Sequence, residues 1–384
     1  MVARTPEAFA KSGIEVRTKT EVVGIRPESG EVRLGDGSTL HFDHLVIATG
    51  AQARTLGVEG EELPGVFALR DLSDAMRIKA YLHDRNARRA VVIGSGFIGL
   101  ELCEAFREQD MDVTLVNNHT LPMHRLGEEF GGRIIEELET HQILHLPETM
   151  AQAVDSASDG SLQVHTADSD ILQTDIVIVA IGVVPEVALA NSAGVRIGDT
   201  GAVATDDRMQ TNLPSVYAAG DCCECRHRVS GKPVWVPLGD TANKQGRIAG
   251  INIGGGRAAF PGIIGSSCFK VFGLHVATTG LTEKEAGAAG FEPRATTIRG
   301  SSRPHYYPGA RTFWLRLVSD RETGRVVGAQ AVGYGGAVEH VNILAAAITA
   351  EMTVEDLAYA DFAYAPPFGG AWDPIHIAAQ KLTK

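Results

Sequence analysis

The 384-residue sequence has no apolar run near the ~18 residues that cross a membrane. Its opening stretch, MVARTPEAFAKSG, also lacks the apolar core of a secretion signal. A cytoplasmic protein is the expectation from these two absences. Positive charge is in deficit: 35 Lys and Arg against 47 Asp and Glu leave a formal net charge of -12. No long-range field therefore draws the chain to nucleic acid or an anionic bilayer, and an anionic ligand must be met by local donors. Cysteine is scarce, odd in number and clustered: Cys103, Cys222, Cys223, Cys225 and Cys268. That set excludes a disulfide framework. The CCEC stretch at 222–225 has no second ligand pair at zinc spacing, so no metal site is expected and these read as loop thiols. Cys103 reads as a small packing residue in a helix, and Cys268 as the start of a strand. Internal repeats and low-complexity tracts are missing too.

What is present is ordinary globular material, 44% hydrophobic and 21% charged, enough for two or three domains. Four short apolar runs end in glycine: HLVIATG (44–50), AVVIGSG (90–96), DIVIVAIG (175–182) and SVYAAGD (215–221). Each predicts a buried strand of a parallel sheet whose glycine turns the backbone at the carboxyl end, where ligands sit. LGDGSTLHF (34–42) and the Asp/Ser-rich 155–170 predict hairpin or meander turns. From about residue 260, KVFGLHVATTG, TFWLRLVSD, TGRVVGAQAVG and the alanine-rich VNILAAAITAEM predict antiparallel strands backed by helices, a separate α+β domain.

Gly94, Gly96 and Gly99 form GxGxxG between a predicted strand and the predicted helix LELCEAFREQ, the context in which the pattern is specific. Gly94 permits the tight turn, Gly96 lets the backbone approach a pyrophosphate, and Gly99 lets helix and strand close up. The next strand, DVTLVNN, ends in Asn117 and Asn118 where a ribose-binding carboxylate is usual. Asn117 can bond a ribose hydroxyl. Without a carboxylate a 2′-phosphate is repelled less, and His119 or Arg125 stands near enough in sequence to approach it. NADH and NADPH both stay open. Farther on, Asp221 follows an apolar strand, suiting the hydroxyls of a sugar-like chain, and a helix beginning near DTANKQGRIAG aims its positive end at an electron-rich carbonyl.

ATG at 48–50, the GxGxxG region, AIGVVPE at 180–186 and VYAAGD at 216–221 together resemble the ordered motifs of the FAD-dependent pyridine nucleotide-disulfide oxidoreductases. GSSCFKVFGLHVATTGLTEKEA (265–286), YYPGA (306–310), GRVVGAQAVG (324–333) and AYAPPFGGAWDP (363–374) resemble the coenzyme A-disulfide reductase branch, with its NADH oxidase and NAD(P)H polysulfide or persulfide reductase relatives. The resemblance covers essentially the whole chain. It implies an α/β two-dinucleotide-binding flavoprotein fold, with an NAD(P) Rossmann-like domain inserted in a partial FAD domain and a C-terminal α+β dimerisation domain. The implied bounds are 1–75 and 205–258 for FAD, 76–204 for NAD(P) and 259–384 for dimerisation. The family's first FAD segment opens with another GxGxxG and carries the redox cysteine. The chain begins past both, so a βαβ unit of ~30 residues or more is expected to precede it.

By the same resemblance, hydride passes from NAD(P)H to FAD and on to a cysteine-based mixed disulfide or persulfide. Thr49, Gly50, Asp221 and Thr241 are implied at FAD. Gly94, Gly96, Phe97, Gly99, Asn117 and Gly182 are implied at NAD(P), with Phe97 an aromatic gate over the flavin and Glu101 near the nicotinamide amide. Tyr306 and Tyr364 are implied to reach across a homodimer, where a phenol protonates or hydrogen-bonds a leaving thiolate. The acceptor stays open among coenzyme A disulfide, persulfide, polysulfide and oxygen. Two other readings remain: a non-catalytic NAD(P)-binding and dimerising remnant or half of a split flavoprotein, and a ferredoxin or rubredoxin reductase that needs no cysteine.

Overall fold

A computed structural model describes residues 4–383. The chain groups into two compact units: the residues through Ala51 with Pro185–Arg226 and Pro233–Gly262, and Gln52–Val184 with His227–Lys232 and Ile263 onward. Among the described residues no helix is long and apolar enough to cross a membrane.

The larger unit is built on two sheets. The first is five-stranded and parallel, in the order Val66–Ala68, Ile176–Val179, Arg89–Ile93, Asp112–Val116, Leu144–Leu146. Successive side chains of a strand point to opposite faces, so the apolar runs feed two cores at once. Val92, Leu115, Ile176 and Ile178 pack on one face with Leu100, Phe106, Phe130, Ile134 and Leu138 of the Phe97–Arg107 and Glu128–Thr140 helices. Val91, Ile93, Val116 and Val177 pack on the other with Val154, Leu162 and Val164 of an antiparallel meander. That meander, Ala151–Ser156, Leu162–Thr166 and Ile171–Thr174, is the turn-rich region expected from 155–170.

The second sheet is antiparallel, in the order Ser267–Val271, Leu274–Gly280, Val326–Gly333, Thr312–Asp320, Pro293–Ser301. Its core with the Ala337–Thr349, Val354–Ala358 and Pro374–Leu382 helices includes Phe313, Leu315, Leu317, Leu344 and Ile375, all but sealed from solvent. The alanine-rich helix starts four residues before the predicted stretch, at Ala337. It stops at Thr349, because Glu351 takes a left-handed conformation at φ 58°.

The smaller unit holds the Leu45–Ile47 and Val216–Ala218 strands in parallel, an antiparallel hairpin region at 22–41, and the Gly239–Ile253 helix. Ile47, Val203, Val216, Ala218, Cys222 and Cys223 form its core. Cys222 and Cys223 lie in a turn, as expected from CCEC, and are also core residues: the turn after Asp221 buries both, at 0% and 4% exposure. All four strand-ending turns share one backbone feature. Gly50, Gly94, Gly182 and Gly220 have φ between 74° and 107°, a region costly for any residue with a Cβ.

Candidate functional site

Gly94 donates its N–H to Val116 O at 2.8 Å, and a Cβ there would run into the Ala180 carbonyl. A Cβ on Gly99 would land on the Gly94 carbonyl oxygen, so a side chain requires the helix to lift away from the strand. Gly96 is different. It sits in extended conformation at the N-cap of the 11-residue Phe97–Arg107 helix, no side chain caps that end, and its Cβ would meet nothing within 4 Å. An uncapped helix N-terminus facing open space is what a pyrophosphate needs, so NAD(P) fits this loop.

At the end of the Asp112–Val116 strand, Asn117 is buried. Its Nδ2 donates to His119 O at 2.8 Å, which closes the following turn. His119 and His124 are exposed and their rings touch, with centroids 4.0 Å apart. Arg125, expected as one possible phosphate partner, is turned elsewhere: its guanidinium grips Glu285 through Nε at 2.6 Å and Nη2 at 2.9 Å.

Phe97 leans on Phe269, ring centroids 5.1 Å apart, and packs at the edge of the main core. Glu101 is exposed on the next turn. Partial burial and then the charge of Glu104 push its carboxyl above the usual range, while Lys270 pulls it back. Glu104 itself is buried, bonded to Lys270 and accepting the Phe272 N–H at 2.8 Å. The buried Glu137 accepts the Gly273 N–H at 3.0 Å and the Tyr334 hydroxyl at 2.7 Å. Two helix carboxylates thus clamp the Phe272–Gly273 hairpin turn, and His141 stacks on Phe272 at 3.7 Å. Gly182, the remaining glycine implied at NAD(P), accepts the Arg54 N–H at 3.0 Å.

In the smaller unit, Asp221 sits in the turn after the Val216–Ala218 strand, its carbonyl held by Trp235 Nε1 at 2.7 Å. Thr49 Oγ1 donates to Glu186 O at 2.6 Å, and Gly50 O accepts the Glu186 N–H at 2.9 Å. Thr241 is buried in the first turn of the Gly239–Ile253 helix, whose N-terminus also lacks a side-chain cap and has open space over Gly239. The buried Gln245 accepts the Gly220 N–H at 2.8 Å while its Nε2 finds no partner. These groups fit the polyol and ring end of FAD. Cys222 lies beneath them, its Sγ 3.6 Å from that of Cys223. The hydrogen bond from Cys223, helped by Gly50 and Thr49, draws the Cys222 thiol down to about 6 against its burial.

Tyr306 and Tyr364 are 74% and 52% exposed and hydrogen-bond to each other, which raises the Tyr306 hydroxyl above its ordinary value. Tyr359, Phe368 and Trp372 are exposed beside them in sequence. Both nitrogens of the partly buried His340 ring face acceptors, Gly336 O and Asp373 Oδ2 at 3.3 Å, an arrangement only the imidazolium satisfies fully. Burial pulls His340 down, but Asp373 outweighs it and the net displacement is upward; burial pulls Asp373 up, but His340 outweighs it and the net displacement is downward. The stabilisation from His340 is complete below ~6.5 and is lost as pH rises through its raised value. That from Asp373 is present above ~3.9 and is lost as pH falls through its lowered value. Asp373→Asn keeps the cap on Ile375 N–H at 2.8 Å but removes the charge. Melting followed by circular dichroism from about pH 5.5 to about pH 8 is expected to show a smaller loss of stability in Asp373→Asn than in wild type.

Sequence reasoning missed Glu104, Glu137, the Cys222–Cys223 contact and the His340–Asp373 pair. The one sequence signal for the glutamates is that each occupies a core-facing helical position beside leucines or phenylalanines, where a carboxylate is costly unless bonded.

The pyridine nucleotide-disulphide oxidoreductase family description matches residues 3–246, and its dimerisation domain matches residues 266–374. The chain is 39% identical over 382 residues to the CoA-dependent NAD(P)H sulfur oxidoreductase of Pyrococcus furiosus, covering 98% of this chain and 85% of that protein. It superimposes on the NAD-dependent persulfide reductase of A. fulgidus with a TM-score of 0.95 at 37% identity, over 100% of this chain and 72% of that one. The NADH-bound, water-forming NADH oxidase of Lactobacillus brevis gives a TM-score of 0.92 at 26% identity, over 99% and 85%. An engineered NADPH oxidase made from that enzyme carries a changed glycine, then three successive changed positions beginning eighteen residues on, then one five residues later. Gly99, Asn117, Asn118, His119 and His124 have the same spacing. With the uncapped glycine loop, the Asp221 turn and a family match along most of its length, the chain belongs to the FAD-dependent, NAD(P)H-using pyridine nucleotide-disulphide oxidoreductases.

Proposed function

We propose that the protein takes hydride from NAD(P)H at the Gly94–Gly99 loop and passes the electrons through FAD to a small sulfur acceptor, a disulfide, persulfide or polysulfide, as a homodimer. The observation that carries the reading is the open space over Gly96 at an uncapped helix N-terminus. Greater identity to the sulfur and persulfide reductases than to the NADH oxidase supports a sulfur acceptor over oxygen. In this reading 76–204 carries NAD(P), 1–75 with 205–258 contributes to FAD, and 259–384 makes the dimer. FAD, when bound, couples a two-electron hydride donor to sulfur.

The chain's own groups then divide the work. Backbone donors at Gly96 and Phe97 hold the pyrophosphate, with Gly94, Gly99 and Gly182 shaping the turns and Asn117 facing the ribose. Glu101 accepts from the nicotinamide carboxamide, and Phe97 shields the ring stack. Asp221 receives the FAD polyol hydroxyls, while Thr49, Gly50 and Thr241 line the flavin end. The exposed Tyr306–Tyr364 pair reaches the sulfur site of the other protomer, where one phenol donates to the departing thiolate.

Tyr364→Phe keeps the ring and removes that donor. Turnover with polysulfide or coenzyme A disulfide is expected to fall roughly 10- to 100-fold, about 1.5–3 kcal/mol, while flavin reduction by NAD(P)H in stopped flow stays near wild type. Equal slowing of both half-reactions overturns the role. Light scattering at micromolar concentration is expected to give a dimer, and the exposed aromatic segment at 359–372 supports that assembly.

A further inference from the structure

We infer that His119 and His124 form a proton-gated clamp for the 2′-phosphate of NADPH, so that pH sets the protein's preference between NADPH and NADH. This rests on the reading of the Gly94–Gly99 loop as the NAD(P)H site.

Three features of the structure carry it. First, the segment bearing both imidazoles is tied to the glycine loop: Met123 N–H donates to Ser95 O at 3.2 Å, one residue from Gly96 and one from His124. Second, the rings are exposed and in contact at 4.0 Å, a convergence of two titratable donors just past the strand end where Asn117 replaces the usual carboxylate. Third, the permanent cation nearest in sequence is committed: Arg125 is held by Glu285 and reaches Gly280 O. Within this segment the imidazoles are therefore the donors left for the phosphate, with Lys284 adding positive charge beside them. The shared spacing of His119 and His124 with altered positions of the engineered NADPH oxidase agrees with this placement.

The surroundings set the gate. Lys284 and Glu285 face the pair from the Glu283–Ala288 helix, where Glu285 is neutralised by Arg125. Glu148 approaches from the other side, its N–H donating to His119 O at 3.2 Å and its carboxylate accepting from Thr120. Partial burial, then His119, then Lys284 push His124 below the ordinary imidazole value. Without an anion the ring is thus neutral near pH 7. An arriving phosphate places negative charge beside the pair, which favours the imidazolium form of His124. NADPH binding then takes up protons and weakens as pH rises, and NADH, lacking the phosphate, escapes both effects.

Calorimetric titration of NADP+ and NAD+ at about pH 6.5, in two buffers of different ionisation enthalpy, reads proton uptake independently of turnover. Uptake approaching one proton is expected for NADP+ and none for NAD+. The NADP+-to-NAD+ affinity ratio is expected to fall about 10-fold or more from about pH 6 to about pH 8. The 2′-phosphate itself titrates near ~6, so the His119→Gln/His124→Gln double variant is the reference. In it the uptake shrinks to that of the phosphate and the affinity ratio no longer falls. Identical proton uptake and pH dependence in wild type and double variant overturn the clamp while leaving the loop reading intact. Binding of neither nucleotide overturns both.

Discussion

Gly96→Val is expected to leave the melting temperature near that of wild type while the affinity for NAD(P)H falls at least about 100-fold, the loss of two backbone hydrogen bonds to a charged group at about 1.5–3 kcal/mol each. The separation of stability from binding follows from the local geometry. Gly96 has φ -79° and ψ -172°, an extended conformation open to any residue, and its Cβ direction is empty for 4 Å. A valine Cβ therefore meets no protein atom, and the side chain fills the space through which a pyrophosphate must come to reach the first turn of the helix. Gly94 is the instructive contrast: φ is 107° and a Cβ collides with the Ala180 backbone, so a substitution there costs stability before it reports on binding. Fluorescence titration with NADH and NADPH, paired with circular dichroism melts, separates the cases. Unchanged affinity in a folded Gly96→Val protein rejects the loop as the nucleotide site.

Phe313→Ala is expected to cost about 3–5 kcal/mol, the range for removing a fully buried phenylalanine. Phe313 has no exposed surface, and its surroundings cannot collapse into the hole. Gly300, Gly333 and Gly336 each approach it so closely that a Cβ on any of them would crowd its backbone or ring, and His340 packs on it with centroids 4.6 Å apart. Gly300 and Gly336 thus close on the ring and Gly333 on its backbone, and the two of these segments held in a sheet ladder relax little. The loss also removes the ring beside His340, so the His340–Asp373 pair should loosen with it. Met76→Ala, at a site 65% exposed on the Leu72–Arg85 helix, is the control and should change stability by no more than about 0.5 kcal/mol. Urea unfolding of both variants decides the matter, and a Phe313→Ala cost under about 1 kcal/mol contradicts this account of the core.

Much of the architecture was legible because it rests on local rules. An apolar run closing in glycine means a strand followed by a turn that only glycine enters cheaply, and Gly50, Gly94, Gly182 and Gly220 all adopt positive φ. The GxGxxG spacing likewise reports a steric condition within one strand–turn–helix unit, met at Gly94 and Gly99 by backbone that leaves no room for a Cβ. The antiparallel texture after residue 260 was visible as alternation and turn chemistry, again within a dozen residues.

Partner choice was not legible, because it is decided between residues far apart in sequence. In the sequence His119 and Arg125 were both open as partners of a 2′-phosphate. Only the packing of the Glu283–Ala288 helix, some 160 residues later, hands Arg125 to Glu285. Glu104 and Glu137 went unremarked in the sequence, yet the hairpin at Phe272–Gly273 brings N–H groups to both and makes them buried acceptors. Cys222 and Cys223 read as loop residues and lie in a turn, but the sequence did not show that this turn places both in the core. The sequence by itself determined the secondary elements, the glycine turns and the family, since each depends on sterics and hydrophobic periodicity along a short stretch of chain. The tertiary structure alone decided which charges pair, which polar groups are buried and which side chains remain for the ligand, since Coulomb attraction and desolvation act through space and are set by what the fold brings alongside.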